Sequence, residues 1–286
     1  MGTSLLSPLL SPCCHVTNGY VPAVTRKDTC MDLEAEININ NLILPKGLRL
    51  ERDDGGLFLT DGELILRADL NEMLPRLKQS NLERELLVKA SRLKGRTWQN
   101  AAREDTDVKS RPDGQALPVA FDATAGFGED SLLLSAAGFN VVLFEKDPVI
   151  AALLEDALFR AEKCPALYEA VQRMTLIKGD SISEMKALKS EASHLLPLRP
   201  DIIYLDPMFP ERKKSGLIKK KFQLLQRLER PCADEEELLY AALALQPKKL
   251  IIKRPLKGPF LAGVKPGYSV SGKSIRYDVI VNAGTL

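Results

Sequence analysis

From Val119 onward, short apolar runs alternate with segments of helical periodicity, and this alternation constrains the fold more than any other feature of the chain. Runs typical of buried strands lie at 119–121, 140–145, 174–178, 201–205 and 249–253. Helical spacing of apolar residues is found at 130–137, 149–161, 182–189 and 235–244, and a closing pair of strands is predicted at 268–270 and 276–281. Strands that alternate with helices at this spacing predict an α/β fold built on a parallel, doubly wound sheet.

The first third of the chain has a different pattern. Residues 1–30 are rich in Ser, Pro, Thr and Cys and show no periodicity, which predicts a loose tail. Short apolar runs at 37–39, 48–50, 57–59 and 64–66 are separated by turn residues, which predicts small strands and hairpins. A helix is predicted at 81–103, and the polar stretch 104–118 is typical of a linker. We therefore expect a tail (1–30), a small α+β domain with its linker (31–112) and a larger domain (113–286).

Composition excludes several classes of protein. Hydrophobic residues make up 45% and charged residues 27% of the 286 residues, which is ordinary for a globular protein, and the net charge of +2 points to no particular partner. The five cysteines include no Cys-x-x-Cys pair, so we expect reduced thiols and no metal site. No apolar run approaches the length of a membrane span, and we expect a cytoplasmic protein with no membrane partner.

The loop after the first predicted strand points to a nucleoside. Asp122 ends that strand, and Gly126 and Gly128 let the backbone approach a ligand closely before the next helix begins. The motif does not complete G-x-G-x-x-G, which disfavours a dinucleotide. Glu145 ends the second strand, where a carboxylate can accept hydrogen bonds from both hydroxyls of a ribose. Asp180, after the third strand, could hold an adenine amine or could equally cap the next helix together with Ser181.

The fourth predicted strand ends in Asp206-Pro207-Met208-Phe209-Pro210, the sharpest signal in the chain. It is similar to the Asp/Asn-Pro-Pro-Tyr/Phe motif of methyltransferases that act on exocyclic amines of bases. A carboxylate and a backbone carbonyl in a loop fixed by Pro207 can both accept hydrogen bonds from an amine. Phe209 can stack on a base swung out of its helix. We therefore predict Asp206, Pro207 and Phe209 as the catalytic residues.

With these motifs the chain resembles the RsmJ-type small-subunit rRNA guanine-N2 methyltransferases, over a region from about residue 44 to the C-terminus. The segments that carry the resemblance are 122–130, 144–154, 204–210 and 253–255. The resemblance implies a class I methyltransferase fold, S-adenosylmethionine as cofactor, and small-subunit rRNA or the 30S particle as partner. The cofactor site implied by the resemblance comprises Glu129, Asp130, Glu145, Lys146, Asp180, Ser181 and Asp206, which join Asp122, Gly126 and Gly128 from the loop.

The chain departs from the pattern of that family in three places. The family usually has Arg where this chain has Glu129, and Ser where it has Asp180. Its basic, glycine-rich segment before the linker is replaced by residues 75–84, which lack the glycines and much of the charge. These departures bear on the choice of RNA target more than on the cofactor.

A basic run follows the catalytic motif, with six Lys or Arg residues among the eleven positions 211–221. Lysines and arginines beside the site can neutralise phosphates and orient an RNA. Parallel strands place their ligands at their carboxyl ends, so basic residues that end the fifth strand would converge on the same place. The predicted RNA-binding residues are Arg212, Lys213, Lys214, Lys219, Lys220, Lys221, Lys253 and Arg254.

Two other functions would also fit these sequence motifs. An N6-adenine methyltransferase of DNA or RNA has a similar motif after the fourth strand. A non-catalytic RNA-binding protein of ribosome assembly could share the fold and bind the cofactor without transferring its methyl group. A small-molecule methyltransferase would leave the basic run without a role.

Overall fold

The computed structural model describes residues 42–93, 117–189, 199–207, 224, 227–228 and 234–281. The predicted tail at 1–30, the strand at 37–39 and most of the linker at 104–118 lie outside these residues, so the proposed domain boundaries stay predictions.

A small antiparallel sheet opens the described part of the chain. It consists of β1 Arg49–Asp53, β2 Gly56–Thr60 and β3 Ile65–Leu66, as the runs at 48–50, 57–59 and 64–66 predicted. Asp53 pairs with Gly56, which leaves a two-residue turn, and its carboxylate accepts a hydrogen bond from the backbone of Gly55. Asp-Gly sequences favour such turns because glycine adopts the backbone conformations that they need.

The single helix predicted at 81–103 is wrong. After a 3₁₀ turn at Leu70–Met73 come three short helices, α1 Leu74–Leu77, α2 Gln79–Leu82 and α3 Leu86–Ser91, and residues 94–103 lie outside the described part. Glu85 breaks the helix, because its backbone is extended (ψ 131°) and its carboxylate binds both Nε and an η nitrogen of Arg76 at 2.7 and 2.8 Å. This ion pair, between residues nine positions apart, lies where the predicted helix is interrupted.

The larger sheet begins at β4 and alternates with helices as predicted. Its strands and helices are β4 Val119–Asp122, α4 Glu129–Ala136, β5 Asn140–Glu145, α5 Pro148–Ala161, α6 Pro165–Gln172, β6 Met174–Lys178, α7 Ser181–Lys189, β7 Ile202–Leu205, α8 Glu235–Ala244, β8 Lys249–Pro255, a 3₁₀ turn at Leu261–Gly263, β9 Tyr268–Ser271 and β10 Ile275–Val281. Helix α6 was not predicted from the sequence. The start of α5 illustrates why the bounds were predictable: Asp147 caps the helix through the amides of Val149 and Ile150, and Pro148 occupies its first turn.

Among the described residues, the larger sheet has seven strands in the order β6-β5-β4-β7-β8-β10-β9. The strands from β6 to β8 are parallel, and β10 runs antiparallel to both β8 and β9. The order along the chain reverses between β4 and β7, which pair directly. In doubly wound sheets ligands bind outside the carboxyl ends of the strands at such a switch point.

Alternating residues of the central strands feed two hydrophobic cores. Ala120, Ile202 and Ile251 pack with helices α3 to α6 on one face, whereas Phe121, Ile203 and Ile252 pack with α7 and α8 on the other. A strand buried on both faces reads as a continuous apolar run, which explains the pattern at residues 119–121 and 202–205.

The small sheet contacts helix α5 through Asp156, whose side chain is buried. Its carboxylate accepts hydrogen bonds from Arg52 of β1 at 2.6 Å, from the backbone of Leu57 in β2 at 3.0 Å and from Arg160 at 2.8 Å. Leu57 and Leu59 of β2 also belong to the same hydrophobic core as α5. No helix within the described ranges is long and apolar enough to cross a membrane.

Candidate active site

The carboxyl edge of the larger sheet, where β4, β5, β7 and β8 end, gathers the polar side chains that the sequence analysis singled out. Asp122 ends β4, Glu145 ends β5, Asp206 follows β7 and Lys253 lies near the end of β8. Asp130, in the first turn of α4, joins them through a salt bridge with Lys253. These residues come from five elements, and the topology of the sheet explains why they meet.

The loop between β4 and α4 has the open conformation expected of a ligand cradle. Gly126 has a φ of +54°, and a Cβ placed on it would meet no atom within 4 Å, so the backbone borders open space. Gly128 has a φ of +76°, and a Cβ there would lie 2.8 Å from Leu154 Cδ1. Gly126 therefore leaves room for a ligand, whereas Gly128 allows α4 to pack closely against α5.

Glu145 holds this loop from the neighbouring strand. Its Oε2 accepts a hydrogen bond from Gly126 N at 2.9 Å and its Oε1 accepts one from Asp147 N at 2.8 Å. Burial raises the pKa of this carboxyl group, against the two backbone hydrogen bonds that lower it. Each oxygen keeps lone-pair capacity, so the carboxylate can still accept hydrogen bonds from hydroxyl groups of a bound molecule.

Asp122 lies beneath the loop and is only 1% exposed. It accepts hydrogen bonds from Thr124 N at 3.1 Å and from Ser131 Oγ at 2.6 Å. Burial raises its pKa to about 7, and the nearby carboxylates of Asp130 and Asp206 act in the same direction. Its contacts support the loop, and its contact with a cofactor stays a prediction.

Asp206 is tied to two other elements of the site. Its backbone N–H donates to Thr124 Oγ1 at 2.7 Å, and its Oδ2 accepts from Lys253 Nζ at 2.8 Å. Lys253 Nζ also donates to Asp130 Oδ2 at 2.9 Å, and that same oxygen accepts from the hydroxyl of Tyr204 at 2.6 Å. The carboxylates of Asp130 and Asp206 therefore share one ammonium group.

The other predicted cofactor residues are a pair at the start of α7, Asp180 and Ser181, and two exposed residues, Glu129 and Lys146. Asp180 accepts hydrogen bonds from the backbone and hydroxyl of Ser183 at 3.0 and 2.9 Å, so the structure shows the helix-capping alternative, and Ser181 is buried beside it. Glu129 and Lys146 are exposed. Their contact with a cofactor stays a prediction.

Of the predicted RNA-binding residues, the structure describes two, Lys253 and Arg254, and both make contacts within the protein. Arg254 is 2% exposed, donates from Nε to Pro259 O at 2.8 Å and pairs with Glu235 at 3.5 Å, so it organises the loop after β8 and is not presented to a phosphate. Lys253 faces the two carboxylates described above. Pro207 is buried, whereas Phe209 and the basic residues Arg212, Lys213, Lys214, Lys219, Lys220 and Lys221 lie outside the described residues.

Three residues of the site were not predicted from the sequence. Thr124 connects the loop after β4 to Asp206, Tyr204 binds Asp130, and Tyr277 of β10 lies with its ring centroid 6.3 Å from that of Tyr204. Tyr204 stands two positions before Asp206, so strand alternation could have placed it on the same side of the sheet. Tyr277 carried no comparable signal, because it comes from a strand added at the far end of the chain.

Comparisons with known proteins agree on a family. A family model described as "Putative SAM-dependent methyltransferase" matches residues 66–282. A small-subunit ribosomal RNA methyltransferase J from Pseudomonas aeruginosa is 46% identical over 162 residues, which are 57% of this chain and 59% of that protein. The protein of the same name from Aeromonas salmonicida is 43% identical over 169 residues, 59% of this chain and 65% of that protein. The chain thus spans less than two thirds of the length of these curated relatives.

A solved structure resembles this chain over a wider range. A SAM-dependent methyltransferase from Neisseria gonorrhoeae is 27% identical, with a TM-score of 0.60, and the match covers 85% of this chain and 87% of that structure. This match covers more residues than 117–286 contain, so it extends into the first 116 residues of the chain.

Proposed function

This chain belongs to the family of SAM-dependent methyltransferases, and from that premise we propose that it transfers a methyl group from S-adenosylmethionine to the exocyclic N2 amine of a guanine in small-subunit rRNA. The RNA class is suggested by the names of the relatives that are 43–46% identical to it. The guanine amine is suggested by the family whose motifs it resembles.

The residues at the carboxyl edge fit a cofactor that combines a nucleoside with positive charge. The open backbone at Gly126 gives the nucleoside room, and Glu145 beside it offers carboxylate oxygens to ribose hydroxyls. Asp130 and Asp206 contribute negative charge that suits a cationic group. Gly126, Glu145, Asp130 and Asp206 are therefore the residues that we propose for this cofactor.

When bound, S-adenosylmethionine supplies an electrophilic methyl group carried on a sulfonium. The protein then has to align the attacking amine and exclude water from the site. Asp206 would accept a hydrogen bond from the amine, orient the lone pair of its nitrogen toward the methyl group and take up the proton that the nitrogen gives off. Pro207 fixes its own φ and restricts the backbone of Asp206 before it, and Phe209 would stack on the base.

The observation that carries this proposal is the position of Asp206. It follows the strand next to the switch point, its backbone is held by Thr124 of the glycine-containing loop, and its side chain is about one-third exposed at 35%. A carboxylate held rigidly and still accessible can receive an amine from outside the protein. The basic residues 212–221 are proposed to bind the phosphates of the RNA around it.

A comparison of ribosomal RNA from cells with and without this gene tests the proposal. We expect one N2-methylguanosine to be missing from small-subunit rRNA of the deletion strain and to return on complementation. Loss of an N6-methyladenosine instead would favour the adenine alternative. An unchanged set of modifications, with cofactor binding intact, would favour a non-catalytic RNA-binding protein.

A further inference from the structure

Lys253 connects two carboxylates of the candidate site in a partly buried position. Its Nζ lies 2.8 Å from Asp206 Oδ2 and 2.9 Å from Asp130 Oδ2, and its side chain is 26% exposed. The neighbouring positions Ile252 and Arg254 are buried, whereas Pro255, the last residue of β8, is exposed.

We propose that Lys253 is a positioning residue for methyl transfer, which fixes the carboxylate of Asp206 beside that of Asp130 and keeps it an acceptor for the amine of the target base. This inference rests on the proposed function. It assigns Lys253 a different role from the phosphate contact that the sequence suggested.

Charge balance is the first reason. Two carboxylates that share one partner repel each other, and without a cation between them one of the two would bind a proton. A protonated Asp206 would donate where the amine needs an acceptor. The ammonium group of Lys253 reduces this conflict, because it lies between the two carboxylates and donates to both.

The effects of Asp206 and Lys253 on each other's pKa have the directions expected of an ion pair. Burial raises the pKa of Asp206, and Lys253 opposes that rise both by its charge and by its hydrogen bond. Burial alone would lower the pKa of Lys253, but Asp130 and Asp206 raise it above its ordinary value, so it stays charged at every pH of an enzyme assay.

Other titratable groups surround this triad on every packed element. Asp122 of β4, Tyr204 of β7, Tyr277 of β10 and Arg76 of α1 all interact electrostatically with Asp130. The pKa of Asp122, about 7, follows from its burial, its hydrogen bonds with Ser131 and Thr124, and the charges of Asp130 and Asp206. Both tyrosines have pKa values raised by burial and stay neutral near pH 7. Of the two carboxylates that Lys253 contacts directly, Asp206 is the more exposed, at 35% against 17% for Asp130.

A second lysine of the same strand supplies a matched control. Lys249 donates to Ala90 O at 2.8 Å, Arg92 O at 2.6 Å and Tyr268 Oη at 2.8 Å, at the opposite end of β8. Its contacts join the strand to α3 and β9 and involve no carboxylate of the site. A purely structural lysine in β8 should therefore behave like Lys249.

The experiment compares Lys253→Met and Lys249→Met with the wild type, by thermal unfolding, by calorimetry with S-adenosylmethionine and by the pH profile of kcat/KM on unmethylated small-subunit RNA. We expect Lys253→Met to lower kcat by about 100-fold, the size of effect that a misplaced reacting group produces, with RNA affinity within about threefold of the wild type, since this lysine contacts carboxylates and no phosphate. The acidic limb of its profile should move to higher pH by roughly one pH unit, because the charge that lowers the pKa of Asp206 is gone. Lys249→Met should lower the stability of the protein but leave kcat and the acidic limb of the pH profile unchanged.

Full activity of Lys253→Met with an unmoved acidic limb would overturn the proposal, as would the same kinetic losses in Lys249→Met. If Lys253→Met does not fold, Lys253→Arg decides: it should keep the wild-type acidic limb and lose part of kcat, and wild-type kcat in that variant would contradict a positioning role. A wild-type enzyme that methylates no RNA would instead refute the proposed function, which separates the two failures.

Discussion

At the scale of single residues, Glu145 is the side chain on which the proposed cofactor site depends most. It holds Gly126 and Asp147 through their backbone amides, and Gly126 itself borders open space. Glu145→Ala should weaken the binding of S-adenosylmethionine by about 1.5–3 kcal/mol, the range for hydrogen bonds to a charged group. Calorimetry on the purified proteins measures this.

Glu155→Ala is the control for that measurement. Glu155 lies on the next helix and pairs with Lys178 in an exposed position, so its loss should leave cofactor affinity unchanged. Equal affinity of a folded Glu145→Ala variant and the wild type would remove Glu145 from the site.

Asp122 makes the stability of the protein depend on pH in a defined direction. Its pKa is about 7 in the folded protein, against an ordinary value of 3.8, so the folded state holds this proton more tightly than the unfolded state. The free energy of unfolding therefore contains a contribution that is complete below pH 4 and is lost as the pH rises through 7.

Asp122→Asn removes that contribution and keeps a polar group opposite Ser131 and Thr124. We expect the free energy of unfolding of the wild type, relative to this variant, to fall between about pH 4 and 7 and to be level above that range. Urea denaturation of both proteins at a series of pH values checks it. A constant difference across the range would show that Asp122 is ionised throughout.

Residue types of the site could be predicted from the sequence, but their partners could not. Asp122, Glu145 and Asp206 each stand at the end of a predicted strand, and the rule that parallel strands end at one edge brings them together. Lys253 and Arg254 are adjacent in sequence, yet one faces two carboxylates and the other is buried against Glu235 and Pro259. That difference arises from strand alternation combined with packing on both sides of β8, and the sequence shows only the first.

At the scale of elements, the bounds of β5, β6 and α8 were predicted to the residue, because strand runs and capped helices end at clear signals. The errors came where one short helix follows another. The predicted helix at 81–103 is interrupted at Glu85, which pairs with Arg76, and α6 was missed because its eight residues follow shortly after α5.

Asp156 is the polar connection between the small sheet and α5. Asp156→Ala would leave Arg160 and the amide of Leu57 without the carboxylate that they share, in a position where the side chain of Asp156 is 1% exposed. We expect a loss of about 3 kcal/mol in the free energy of unfolding, as for other buried ion pairs that lose one partner.

Chemical denaturation measures that loss, with Glu155→Ala as the neighbouring control on the same helix. The control should change stability by less than about 0.5 kcal/mol, because its ion pair with Lys178 is exposed. A loss in Asp156→Ala no larger than that of the control would mean that apolar packing alone holds the small sheet.

At the scale of the whole molecule, the proposed function requires a surface that holds RNA around the site. Replacement of Lys213, Lys214, Lys219, Lys220 and Lys221 by Gln should weaken RNA binding and leave the binding of S-adenosylmethionine intact. Each phosphate contact that is lost should flatten the log–log dependence of RNA affinity on salt by roughly 0.7–0.9.

The matched control replaces Lys163 and Lys248, which lie at the end of α5 and before β8, away from the carboxyl edge. Its salt dependence should equal that of the wild type. If the five-lysine variant also shows the wild-type slope and affinity, the RNA surface lies elsewhere, with residues 42–93 as the next region to test.

The most direct test of the account is methyl transfer from radiolabelled S-adenosylmethionine to unmethylated small-subunit RNA by wild type and Asp206→Ala, with the labelled nucleoside identified by mass spectrometry. We expect the wild type to produce N2-methylguanosine and Asp206→Ala to lose turnover far more than RNA affinity, because Asp206 acts on the amine in the transition state. An active Asp206→Ala enzyme, or label on a base other than guanine, would contradict the mechanism proposed for this site.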